Sequence, residues 1–172
     1  MRFVALLLLL AAWMATAEAA LPAAYNAIVI EPRGLPERAE FDLSAALQRA
    51  RQEKKRLYVY LGARDCPFCR RYEAFLDKNA RELTPQFFEK YLLVDLRSAL
   101  NIQAPRLFIR IGSRSLAYAD FQRSIGDERE RQLVYPSVWL LDAQAKPLMQ
   151  MPAGTGTFET VDEQIEVLQL QQ

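Results

Sequence analysis

Arg64-Asp65-Cys66-Pro67-Phe68-Cys69-Arg70-Arg71 holds the only two cysteines among 172 residues. They stand two residues apart, behind the apolar run Leu57-Tyr58-Val59-Tyr60-Leu61 and ahead of an amphipathic segment. A C-x-x-C pair at a strand-to-helix junction points to thiol–disulfide redox chemistry. A helix starting near Cys66 would aim its unpartnered N–H groups, and the positive end of its dipole, at the sulfur. Both favour thiolate over thiol. Arg64, Arg70 and Arg71 push the same way and Asp65 opposes them.

Two other readings of the pair stay open. As a structural disulfide it would close a loop of about four residues, worth only ~2 kcal/mol against roughly 3 for a fifteen-residue loop, and so would be a poor staple. As half of a zinc tetrahedron it lacks partners, because the chain has no histidine and no third cysteine. Cu(I) held by the two thiolates alone is compatible with copper's taste for soft ligands.

The chain opens with Met1-Arg2, an apolar run from Phe3 to Met14, and Ala15-Thr16-Ala17-Glu18-Ala19-Ala20. A basic start, an apolar core and small residues at A-x-A spacing describe a secretory signal peptide, with cleavage after Ala17 or Ala19. The run falls short of the ~20 apolar residues a spanning helix needs, so the mature form is not expected to cross a membrane. The expected organisation is a signal peptide over 1–19, an N-terminal arm over 20–40 and a domain over 41–172. About 150 residues suit one full hydrophobic core. A net charge of +1 with 51% hydrophobic residues argues against disorder and against nucleic-acid binding.

The arm is rich in Pro and Ala, with one strand-like run at Ala27-Ile28-Val29-Ile30. Phe41 to Ala50 places Leu43, Ala46, Leu47 and Ala50 at helical spacing, with Asp42 or Ser44 as N-cap. Leu57 to Leu61 lacks alternation, as a strand covered on both faces should. Beyond Cys69, Tyr72, Phe75, Leu76 and Leu83 line a helical face, Asn79 marks a break, and Thr84-Pro85 reads as N-cap and first residue of a new helix with Phe87 and Phe88 inward. Tyr91 to Leu96 is a second buried strand. Residues 97–134 form a variable segment with a strand at Leu107 to Ile111 and a helix between Leu116 and Val134. It carries seven arginines against four acids, an ordinary solvated surface or a basic rim for an acidic partner. Pro136 leads a strongly apolar strand. Asp142 to Lys146 turns into a hairpin strand ending at Met151, and Pro152 to Gly156 turns again. Thr160-Val161-Asp162-Glu163 is a capping box for a last helix, with Val161, Ile165, Leu168 and Val167 turned inward.

This order resembles the thioredoxin superfamily over roughly residues 41 to 171. The likeness rests on Cys66-Pro67-Phe68-Cys69 after a buried strand, Tyr135-Pro136-Ser137 opening the next core strand, and the closing hairpin from Asp142 to Met151. It implies an α/β fold of thioredoxin-like type: a central mixed sheet flanked by helices, here with an N-terminal arm and an insertion before the strand led by a cis proline. It also implies that Cys66 is the exposed nucleophile, that Cys69 resolves the mixed disulfide, and that Pro136 with Tyr135 aligns a partner's backbone. Pro67 and Phe68 would offer it apolar contact.

There are departures. Asp65 replaces the aromatic residue common before the first cysteine, and no acid occupies Val59, Tyr60 or Leu61, where some members place a buried one. Pro67-Phe68 looks like glutaredoxins, but their Gly-Gly turn for glutathione is missing. The resemblance implies an exported, periplasmic or secreted thiol–disulfide oxidoreductase acting on protein disulfides, with a membrane or soluble thiol donor and no cofactor. Strong oxidants stabilise the reduced thiolate greatly, often with a His between the cysteines; its absence favours a reductase. The competing reading is a thioredoxin-like binding module, or a Cu(I) carrier, without turnover.

Overall fold

A strand with apolar or aromatic residues at nearly every position has no face to give to water, and Arg56–Ala63 accordingly lies in the middle of the main sheet. The computed structural model describes residues 20–124, 133–151 and 160–169. In chain order the first elements are β1 (Ile28–Ile30), β2 (Ala39–Asp42), α1 (Ser44–Glu53) and β3 (Arg56–Ala63). Next come α2 (Pro67–Lys78), α3 (Ala80–Lys90), β4 (Tyr91–Ser98), β5 (Leu107–Ile111), β6 (Arg114–Ala117) and α4 (Tyr118–Ser124). After them follow β7 (Ser137–Leu141), β8 (Pro147–Met151) and α5 (Val161–Gln169).

The main sheet has the order β1-β4-β3-β7-β8. Strands β1, β4 and β3 run parallel, and β7 and β8 are antiparallel to their neighbours, so the sheet is mixed. Alternation along β3 divides the core in two. Leu57, Val59, Leu61 and Ala63 join a cluster with Phe41, Leu47, Ala50 and Trp139. Tyr58 and Tyr60 join another with Tyr25, Leu76, Phe87 and Leu168. There Phe87 meets Tyr58 and Tyr25 edge-on at 4.8 and 5.3 Å between ring centroids, the arrangement aromatic quadrupoles prefer. The arm belongs to this core: Tyr25 is fully buried with its hydroxyl donating to the Leu76 carbonyl at 3.0 Å.

Several local expectations change. Phe41-Asp42 lies in β2 rather than in the first helix, and Leu43 precedes that helix without a side-chain cap. Asp42 Oδ1 instead accepts the Ser44 N–H at 2.9 Å. Asn79 does end α2, its amide donating to the Phe75 carbonyl at 2.8 Å. The new helix starts at once with Ala80, which puts Pro85 inside it and Thr84 away from any cap. Leu83 and Phe87, four apart, face the core, while Phe88 is turned out and exposed. The capping box is present, with reciprocal Thr160–Glu163 bonds of 3.3 Å. In α5 Leu168 and the polar Gln164 are buried, while Val161, Ile165 and Val167 are half-buried.

The segment 97–134 begins inside β4 and then builds a second sheet, β2-β5-β6, in which β5 pairs in parallel with β2 from the arm. Glu40 ties the two together. It accepts from Arg110 Nε and from an Arg38 Nη, each at 2.7 Å, and from Ser115 Oγ, while Arg38 also covers the Phe108 ring. Arg97 pairs with Asp95 and Arg123 with Asp120, so Arg97, Arg110 and Arg123 all face carboxylates within the fold. Residues 125–132, with Arg129 and Arg131, lie outside the described residues, as do residues 1–19, where a signal peptide is expected, and residues 152–156, where a turn is expected. Among the described residues no helix is long and apolar enough to cross a membrane.

The hydrogen bond from Arg110, then those from Ser115 and Arg38, hold the Glu40 carboxyl down at about 2. A carboxylate whose acidity rises on folding contributes stability above its unfolded value and loses it as pH falls through the folded one. Thermal melts should therefore show an acid-dependent loss between about pH 4.5 and 2 that Glu40→Gln removes, and Glu40→Ala at neutral pH should cost about 2–3 kcal/mol for the charged hydrogen bonds broken.

Candidate functional site

The C-terminal end of β3 delivers the chain into α2 through a tight turn. Arg64 N–H donates to the Ser98 carbonyl at 3.1 Å and Cys66 N–H to the Ala63 carbonyl at 3.0 Å. Asp65 Oδ1 accepts the Leu100 N–H at 2.8 Å, fastening the turn to the loop after β4. Cys66 has extended backbone and is the N-cap of α2, with Pro67 following at a position whose N–H would have no helical partner. Its Sγ accepts the Cys69 N–H at 3.1 Å, so a sulfur answers one of the helix's free donors.

Both cysteines are free and both are buried: Cys66 is 1% exposed and Cys69 0%. The expected open nucleophile is thus covered in this state. The cover is the segment before β7, whose Tyr135 carbonyl lies 3.8 Å from Cys66 Sγ and accepts from its thiol. The Tyr135–Pro136 peptide is cis and Pro136 is buried. Tyr135 turns its ring inward, its hydroxyl 2.6 Å from Ser98 Oγ. Pro67 and Phe68 are exposed, Phe68 at 52%. Arg64, expected to act on the thiol, pairs with Glu31, and Arg70 and Arg71 are exposed.

Cys69 Sγ accepts the Ala63 N–H at 3.5 Å, and Tyr60 is among the groups that act on its acidity. Burial is the main cause of a thiol pushed far above its ordinary range, with the hydrogen bond to Cys66 next. The Tyr60 ring leans over Gly62, where an added Cβ would sit 2.5 Å from its Cε1 and 2.9 Å from its hydroxyl. Only glycine leaves that room.

The structure also brings in an acid that the residue pattern missed. Glu73, on α2 one turn beyond Cys69, is 7% exposed and its Oε1 accepts the Tyr60 hydroxyl at 2.6 Å. Burial raises its carboxyl above the usual range. Asp95 on β4, 1% exposed, lies nearby, raised for the same reason and bonded to the Leu21 N–H at 3.3 Å and Arg97 at 3.2 Å. The signals were there: Cys69 and Glu73 are four residues apart on one helix face, and Asp95 interrupts an apolar strand.

A family model described as a thioredoxin-like domain matches residues 43–169. Among solved structures the chain is similar to the exposed lipoprotein thioredoxin of Streptococcus pneumoniae strain TIGR4. The two are 14% identical with a TM-score of 0.39, over 71% of this chain and 87% of that one. No curated protein matches.

The cover over Cys66 has a measurable consequence. Iodoacetamide should alkylate the reduced native protein at Cys66 at least about tenfold more slowly than the denatured chain, because reaction waits on local opening. Cys69 should stay unmodified until the fold is lost. Equal rates in the native and denatured protein would show an open sulfur.

Proposed function

The chain belongs to the thioredoxin-like domain family, and from that premise we propose that it is an exported thiol–disulfide oxidoreductase that reduces disulfides in partner proteins through Cys66 and Cys69. The observation that carries this reading is the Cys69 N–H on Cys66 Sγ at the mouth of α2, beside the cis Tyr135–Pro136 main chain. Cys66, once uncovered, attacks a partner disulfide as thiolate. Cys69 then displaces the partner from the mixed disulfide and leaves an oxidised pair. Atoms balance: the dithiol gives up two electrons and two protons, and the partner leaves as two thiols. A membrane or soluble thiol donor restores the dithiol.

In this scheme Pro136 and the Tyr135 main chain align the partner, and Phe68 and Pro67 supply exposed apolar contact. The direction follows from how little stabilises a reduced thiolate here. The Arg64 guanidinium is taken by Glu31, and no histidine lies between the cysteines. Export is supported by the basic start, apolar run and A-x-A spacing of residues 1–19. The burial of Cys66 favours a second reading, a binding module without turnover.

Cys69→Ala, correctly exported, should accumulate covalent complexes with partner proteins that reductant dissolves; recovery of none would count heavily against the scheme. A potential measured against glutathione should fall near about −270 mV, whereas about −120 mV would make the protein an oxidant. Insulin-disulfide reduction run beside metal analysis separates the readings: turnover supports the oxidoreductase, and stoichiometric copper without turnover supports the module.

A further inference from the structure

Dithiol exchange leaves one step without an agent: something must take the proton from Cys69, a fully buried thiol with no water-facing side. Two side chains stand in line behind it. Tyr60 lies over Gly62, one residue before the Ala63 N–H that contacts Cys69 Sγ, and acts on that thiol; its hydroxyl donates to Glu73 Oε1 at 2.6 Å. The chain of groups is fixed by its surroundings. Tyr60 is fully buried on the central strand and held over Gly62, next to the Ala63 N–H that contacts Cys69 Sγ. Glu73 is buried on α2, one turn from Cys69.

A tyrosine hydroxyl has one proton and here two acceptors, so it can point to only one at a time. With Cys69 as thiol and Glu73 as carboxylate, Tyr60 donates to Glu73 and its oxygen faces the thiol. With the proton on Glu73, Tyr60 donates to the Cys69 thiolate. We propose that Tyr60 and Glu73 are a proton relay for Cys69, in which the thiol proton passes to the Tyr60 oxygen as the Tyr60 proton passes to the Glu73 carboxylate.

The proposal rests on the dithiol exchange above and supplies its second step. In the mixed disulfide, Cys69 S–H breaks and Tyr60 O–H re-forms while Glu73 becomes a carboxylic acid. The Cys69 thiolate then attacks Cys66 Sγ. The Cys66–Cys69 bond forms, the bond from Cys66 to the partner breaks, and the partner leaves as a thiolate that takes a proton from water. Glu73 later returns its proton to solvent. In this relay Tyr60 exchanges a proton with the reacting sulfur and is catalytic; Glu73 acts through it.

The groups facing Glu73 set its acidity. Besides Tyr60 from β3 they are the Ala20 backbone N–H from the arm, Asp95 from β4 and Arg70 on its own helix. Asp95 opposes the charge on Glu73 while Arg70 and the N–H favour it; burial, the largest cause, raises the carboxyl and makes it a stronger base. Facing Cys69 are Cys66, Tyr60 and the Ala63 N–H. The resolving step should accordingly speed up as pH rises through the raised Glu73 value, where the acceptor becomes ionised.

The test uses the full mature protein, reduced, mixed with 5,5′-dithiobis(2-nitrobenzoate). The first thionitrobenzoate is released when Cys66 attacks, and the second when Cys69 closes the disulfide. In Glu73→Gln the second release should slow relative to the first by about 10²-fold, the usual worth of a positioned base, and lose its carboxylate limb in the pH profile. Glu73→Asp should recover part of both. Glu73→Gln keeps an oxygen for the Tyr60 hydroxyl and so preserves the fold even where Tyr60→Phe does not, with melting temperature as the check. A Glu73→Gln protein with the wild-type second release and pH profile would overturn the relay. Wild-type protein that releases no thionitrobenzoate would overturn the dithiol exchange itself.

Discussion

The rest of the site depends on one contact, the Cys69 N–H resting on Cys66 Sγ at 3.1 Å. A helix start leaves donors that must find an acceptor, and most helices spend a hydroxyl or carboxylate on the task. Here the acceptor is the Cys66 sulfur itself. Any polar side chain inserted as a better cap would compete for the same N–H. The contact also sets the order of the two cysteines, because the residue that caps lies at the helix mouth and the residue that donates lies one turn in, against Ala63 and Tyr60.

Strand β3 turns that local arrangement into a fixed one. Paired with β4 along its whole length and with β7 from Leu57 to Leu61, and buried on both faces, it holds Ala63 where its N–H meets Cys69 Sγ. Its two faces carry different chemistry. The aliphatic side packs on α1 and β2, and the aromatic side carries hydroxyls that need partners when buried. Tyr58 lies 2.5 Å from the Tyr72 hydroxyl, which donates to Gln164 at 2.6 Å. Tyr60, nearest the helix mouth, finds Glu73 and Cys69 instead. The same requirement for satisfied hydroxyls thus gives a structural network at one end of the strand and an ionisable one at the other.

Local patterns in the sequence were legible and distant pairings were not. The cysteine motif, the two buried strands Leu57 to Leu61 and Tyr91 to Leu96, the closing hairpin and the capping box each announce themselves within about ten residues, by composition or spacing. Strand β2 does not: Ala39–Asp42 alternates apolar and acidic residues for only four positions, too few to stand out beside the helical spacing that follows, and its partner β5 lies some 68 positions on, at Ala39↔Leu107. Pro85 misled because a proline suits a helix start, yet α3 had already begun after Asn79. Glu73 went unread because a charged helical residue is normally solvated. What made it interior was Tyr60 on another element.

Burial constrains how a charge can move through the site. An unpaired ion there is expensive, so a mechanism that created a second one beside Asp95 would be slow. The trio of Cys69, Tyr60 and Glu73 avoids this. Before the proton moves, the single negative charge lies on Glu73; afterwards it lies on Cys69; Tyr60 is neutral in both. The total stays at minus one while the charge travels to the sulfur, and Tyr60 donates a hydrogen bond to whichever end holds it. Because the low local dielectric strengthens that bond at either end, the enclosed site stabilises the ion it has to move. In the proposed exchange Cys66 faces the opposite demand, since its sulfur would meet a second polypeptide, and its cover is the Tyr135 main chain. One sulfur can therefore be uncovered to solvent while the other keeps its proton path closed.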